Sequence, residues 1–292
     1  MLFEDAHWAD ASSLELLDKT IGLLGNLPIL LVVSLRPEFQ PPWVGLAVAS
    51  LITLRRLTQK QAAQLAERIV VERILSPALL TRIVTQTDGV PLFIEELTKA
   101  VLEGAEQSDG NVAPLEVPAT LQASLNARLD RLPAAKQVAQ IGAVIGRDFT
   151  HGLLAVVAAM PEPLLSHGID TLVASGLAFR RGVAPDAVYT FKHALVRDAA
   201  YNVLLRSQRQ ELHARIGRVL QEHFPEIAQS EPEVLAHHFT QAGEPEIAVR
   251  YWHRAGERAL QRSANAEASA HLTRAIEIWA HCQPVWNEID SN

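Results

Sequence analysis

The stretch Leu2-Phe3-Glu4-Asp5 reads as an apolar strand that ends in two adjacent carboxylates. Acids at the C-terminal end of a buried strand form the Walker B pattern. One carboxylate offers Mg²⁺ a hard oxygen ligand, and its neighbour positions or activates a water. The same pair would also suit a solvated loop start, so the surroundings decide. Downstream, Ser12 to Glu15 fits a capping box opening a helix with Leu14, Leu17, Ile21 and Leu24 on one face. Gly25-Asn26 ends that helix and Pro28 follows. Ile29 to Ser34 is then a continuous apolar run suited to a strand buried on both faces, and a further short strand is expected at Leu51 to Leu54. Strand, helix and strand with buried strands imply a parallel α/β sheet, whose ligands sit beyond the carboxyl ends of its strands.

The phosphate-cradling loop G-x-x-x-x-G-K-[ST] that normally precedes such a strand is found nowhere in the 292 residues, and no glycine is followed by lysine. Residues 1–56 are therefore expected to be a remnant, the C-terminal half of a P-loop α/β domain, with the chain cut at Met1. An incomplete parallel sheet exposes apolar edges that invite pairing. This segment is accordingly expected to be poorly ordered, or completed by an upstream chain.

The rest of the chain is mainly helical. In 57–104, Thr58 to Gln61 is a capping box, Ser76-Pro77 starts a second helix, and Gly89-Val90-Pro91 separates it from a third. Residues 105–116, rich in Gly, Ser, Asp, Asn and Pro, read as a linker. In 117–206, helices are expected at 119–132, 134–145 and 163–175, the last stopped by Gly176. Strands at 177–181 and 188–192 then flank a Gly-Val-Ala-Pro-Asp turn, and a helix feeding a hairpin is a winged-helix arrangement. Residues 207–282 are helical, with Ala248, Trp252 and Ala255 echoed by Ala268, Leu272 and Ala275, a small-and-large pattern like that of tetratricopeptide repeats. Residues 283–292 read as a frayed tail.

Composition narrows the functional classes. The net charge of −7 argues against a dedicated nucleic-acid binder. The longest apolar runs, 27–35 and 153–160, are too short to cross a membrane. A single cysteine, Cys282, gives no internal disulfide framework and suits a reducing cytoplasm. Neither G-x-S-x-G nor H-E-x-x-H occurs, so a serine hydrolase or a zincin is not indicated.

The run Leu-Phe-Glu-Asp-Ala-His-Trp-Ala-Asp at 2–10 resembles the Walker B region of STAND-class AAA+ signalling ATPases. In particular it resembles the bacterial predicted ATPases found with adenylate/guanylate cyclase or LuxR-type domains. Residues 34–38, 89–97, 117–132 and 189–201 match the same family in the same order. The resemblance implies ATP/ADP and Mg²⁺ as cofactors. Glu4 would hold the metal and Asp5 would orient water, although the family's usual first acid is Asp, which leaves open which of the two coordinates. Arg36 would be the sensor-1 residue that reads the γ-phosphate. Gly89 and Pro91 would form the GxP motif by which a helical lid approaches adenine, and His193 would be the winged-helix histidine that reaches the β-phosphate of ADP.

On residue type alone, Arg36 also suits a surface arginine, Gly89 to Pro91 a helix break, and His193 a structural histidine. The expected protein is thus mainly α with an α/β remnant: half a P-loop domain, a helical lid, a winged helix and α-helical repeats. Its expected function is that of an ATP-dependent signal-transduction switch inactive by itself, with a protein partner bound through the repeats. The alternatives are a nucleotide-independent interaction scaffold and a winged-helix transcription regulator touching DNA through Arg180-Arg181.

Overall fold

The computed structural model describes residues 1–41, 43, 45–46, 48–70, 75–106 and 120–289. The expected linker at 105–116 lies almost wholly outside the described residues. The chain is mainly helical with two small sheets, and it divides into two compact units: residues 1–54 together with 224–292, and residues 55–223.

The first unit opens with β1 (Leu2–Phe3), α1 (Ala11–Leu23) and β2 (Val32–Val33). The two strands pair in parallel, Leu2 opposite Val32 and Phe3 opposite Val33, so α1 is the crossover of a βαβ unit. Leu17 and Ile21 of α1 bury one side of the sheet together with Trp43, against Phe3, Leu31 and Val33. Three expectations change here. The N-cap of α1 is Asp10 rather than Ser12: its carboxylate accepts from the Ser13 N–H at 2.7 Å and from the Ser13 hydroxyl at 2.8 Å. The apolar run at 29–34 is not buried on both faces, for Leu30 is 77% exposed and Val32 48% exposed. Residues 51–54 form no strand and lie exposed, having no described neighbour to complete a ladder.

The second unit begins with α2 (Gln59–Ile69), α3 (Pro77–Thr87) and α4 (Pro91–Glu106). Local sequence sets their starts. Thr58 and Gln61 form the reciprocal capping box, and the Ser76 hydroxyl accepts the Leu79 N–H. Ala62, Ala66, Ile83, Phe93, Ile94 and Leu97 make their shared core. Then come α5 (Leu121–Asp130), α6 (Pro133–Ile145), β3 (Asp148–Thr150), α7 (His151–Ala158), α8 (Glu162–Ala174), β4 (Ala178–Arg181) and β5 (Val188–Phe191). The order α6-β3-α7-α8-β4-β5, with the antiparallel sheet ordered β3-β5-β4, is the winged-helix topology. The hairpin is legible in sequence; β3 and α7 are not, because a three-residue strand is defined by its distant partner and not by periodicity. The unit closes with α9 (Ala194–Val203) and α10 (Arg206–His223).

The chain then rejoins the first unit as α11 (Pro225–Ser230), α12 (Pro232–Ala242), α13 (Pro245–Gln261) and α14 (Asn265–Ile289). Helical backbone thus continues through much of the expected tail. The repeated alanines act as expected: Ala248, Ala255, Ala268 and Ala275 are buried, letting the helices close on one another. Gly256 extends the principle, since a β-carbon there would sit 2.6 Å from the Leu272 side chain.

Candidate functional site

The acids are set by the way β1 ends. Asp5 adopts a left-handed conformation (φ 55°, ψ 45°) that is uncommon outside glycine but open to Asp. Ser34, at the end of β2, holds that turn. Its hydroxyl accepts the Asp5 N–H at 2.8 Å, its carbonyl accepts the Ala6 N–H at 2.9 Å, and its own N–H donates to Phe3 O at 2.9 Å. The Trp8 N–H closes a short 3-10 turn on Asp5 O at 2.8 Å. Two residues beyond Ser34, the Arg36 guanidinium lies 5.7 Å from the centroid of the Trp8 ring, a cation–π contact. Glu4, Asp5 and Arg36 therefore share the carboxyl edge of the parallel pair, and all three are exposed. His7, in the same turn, has both ring nitrogens buried without a protein partner among the described residues.

Two adjacent exposed carboxylates fit Mg²⁺, which is commonly held by one or two such groups while water and phosphate oxygens fill the rest of its octahedron. They do not fit a dedicated protein cage. Among the described residues, no three His, Cys, Asp or Glu side chains gather around a common point.

The second unit carries the other three residues. Asp88 ends α3 in the left-handed region, Gly89 follows at φ 70°, and Pro91 occupies the first position of α4. Gly89 is needed for two reasons. Its φ suits a residue without a β-carbon, and such a carbon would meet the Leu57 carbonyl well inside contact distance. The Leu57 N–H donates to Gly89 O at 2.8 Å, so this break is tied to the chain entering α2. His193 is the N-cap residue of α9 but makes no side-chain cap bond. Its Nε2 is buried with no partner among the described residues, and burial, followed by the neighbouring Lys192, lowers its pKa against the opposing pull of Glu96 and Glu95.

A charged seam joins these parts of the second unit, and only its Glu95–Lys99 pair has a spacing that the sequence displays. Glu95 of α4 accepts from Lys99, one turn on, at 2.6 Å, and from Lys192, which precedes His193. Burial pushes the Glu95 carboxyl up, but those two ammonium groups outweigh it and hold its pKa at about 2. The next residue, Glu96, pairs with Arg128 of α5, both side chains being 1% exposed. Arg128 Nη2 also donates to Ser175 O at 2.8 Å, while Glu96 Oε1 is buried without a partner among the described residues. The helix that starts at Pro91 is thus locked to the residue before His193 and to the first helix after the linker. Such long-range pairs have no local spacing that would reveal them.

The alternative DNA contact gains nothing. In the recognition position of the winged helix, α8 carries Glu162 and Asp170 but no Lys or Arg. Arg180 of the wing is spent in part on Asp170, at 3.0 Å.

No family model matches this chain. It is similar to an uncharacterized protein of Rhizobium meliloti (strain 1021), 31% identical over 281 residues, covering 94% of this chain. The chain spans 27% of that relative's length.

Proposed function

We propose that these 292 residues are the Walker B, sensor-1, lid, winged-helix and repeat section of a STAND-type, ATP-dependent signalling switch. The observation that carries this reading is the β1-α1-β2 crossover, whose parallel pairing sets Glu4-Asp5 and Arg36 on one carboxyl edge. The left-handed backbone of Asp5, held by Ser34, supports it, because uncommon backbone conformations cluster at functional sites. Gly89-Val90-Pro91 at a helix entry and His193 at the winged-helix exit support it from the second unit.

In this reading Glu4 or Asp5 holds Mg²⁺, which would neutralise charge on phosphate oxygens when bound. Arg36 offers a guanidinium fork to a γ-phosphate. The half-buried His193 imidazole offers a hydrogen bond to a phosphate oxygen through its ring nitrogen. Since the sequence contains no G-x-x-x-x-G-K-[ST], the phosphate grip has to come from residues other than these 292. A complementary strand-bearing segment would also cover Leu2, Leu30 and Val32, which this sheet leaves exposed. The α12–α14 helices are the surface proposed for a protein partner. No helix among the described residues is long and apolar enough to cross a membrane.

Calorimetry tests the nucleotide part. This chain alone should bind Mg·ATP weakly and release phosphate no faster than its Glu4→Ala/Asp5→Ala variant. Micromolar affinity, or phosphate release above that variant, would overturn the reading.

A further inference from the structure

A cleft of about 230 Å³ opens in the second unit between α8 and the wing, at the far end of β5 from His193. Its lining brings together groups that the switch reading does not use. The Tyr189 hydroxyl lies 3.2 Å from His151 Nδ1, and both residues are more than nine-tenths buried. His151 Nε2 is 3.6 Å from Glu162, beyond hydrogen-bond length, so that nitrogen is not engaged there. Asp170 and Arg180 face each other through a single oxygen and a single nitrogen at 3.0 Å. The second Asp170 oxygen and the rest of the guanidinium fork have no protein partner among the described residues. Ile169 and Val183 add apolar wall.

We infer that this cleft binds a small zwitterion, with a free α-amino acid as the class that fits. A carboxylate beside an arginine fork accepts an ammonium and presents the fork to a carboxylate, which matches the two ends of an amino acid. The volume falls below the roughly 300–1,000 Å³ of ordinary cofactor pockets, which excludes a nucleotide and leaves room for one small molecule. The apolar wall takes the ligand's side chain. His151 and Tyr189, held by each other, supply a fixed polar end that discriminates among side chains. α8 itself offers no Lys or Arg to a nucleic-acid phosphate. This site stands or falls independently of ATP chemistry and gives the winged helix an input of its own.

The test is calorimetric titration of the full chain with each of the twenty common L-amino acids at millimolar concentration. One or a few should give saturable, one-to-one binding. Arg180→Ala and Asp170→Asn should each weaken it by about tenfold or more, the loss of one charge-assisted contact. Arg181→Ala, the next residue along β4 with its side chain on the opposite face, should leave it unchanged. Val183→Trp, on the exposed turn, should block the cleft while leaving the ion pair in place, and it guards against misfolding of the other two variants. No saturable binding by any amino acid, or binding that survives Arg180→Ala, Asp170→Asn and Val183→Trp, overturns the proposal.

Discussion

Individual side chains here do two different kinds of work. Asp5 and Arg36 are exposed, the first held through its backbone by Ser34 and the second by the Trp8 ring, whereas the half-buried Glu95 and the buried Glu96 and Arg128 are held by charge. The sign of the Glu95 shift sets an acid limit. Its folded pKa of about 2 lies below its ordinary 4.5, so its stabilising effect is complete above that ordinary value. The effect is lost as pH falls from 4.5 towards 2. Lys192→Met should relax Glu95 towards its ordinary value and move the acid-unfolding midpoint upward, as followed by circular dichroism. Arg128→Met should cost about 3–5 kcal/mol in denaturant titration, because it strands the Glu96 carboxylate in a site that water does not reach. Replacing Glu96 and Arg128 together by apolar residues should cost much less than that single change. His193, its pKa lowered by burial, should titrate below its ordinary value in an NMR pH series.

At the scale of elements, caps and breaks explain why helices start where they do. Gly89→Ala should destabilise the second unit by at least about 1–2 kcal/mol, the cost of an alanine in the left-handed region, with the Leu57 clash added. Asp10→Ala should remove about 1 kcal/mol from the first unit by freeing the N–H groups at the start of α1. Thermal melts of both variants check these values. The same elements show what a sequence displays and what it hides. Thr58-Gln61, Ser76-Pro77, Gly89-Val90-Pro91 and the Ala248/Ala255 pattern are local signals, and the structure uses each of them. Ser12 does not cap the helix because Asp10, two residues earlier, takes the Ser13 N–H and starts the helix at Ala11, which puts Ser12 inside its first turn. The strand expected at 51–54 failed on another ground. Its apolar run is real, but a strand exists only through a partner, and none lies beside it among the described residues. β3 is the converse, a three-residue segment with no visible pattern that pairs with β5. Of the candidate site, residue types were readable. The Glu95–Lys99 pair has local i,i+4 spacing, but the role of Ser34 in holding Asp5, and the links from Lys192 to Glu95 and from Arg128 to Glu96, depend on contacts across tens of residues.

For the whole molecule, the uneven distribution of apolar surface is informative. More than half of the large apolar side chains found exposed among the described residues lie in 1–54, including Ile52 at 81% and Leu54 at 91%. Such surface is expected of a parallel sheet that packs on one side only. Limited proteolysis of the chain should cut first between Ala49 and Leu54, where the backbone is exposed and outside any helix or strand, and leave 75–106 and 120–223 intact longer. Early cutting inside α5–α10 would contradict that order. The function proposed above makes this chain one section of a switch ATPase whose phosphate loop lies in other residues. The most direct measurement is the DNA sequence in frame upstream of Met1. A G-x-x-x-x-G-K-[ST] between a strand and a helix is expected there, within roughly a hundred residues. An upstream frame that encodes a folded segment without such a loop would contradict it.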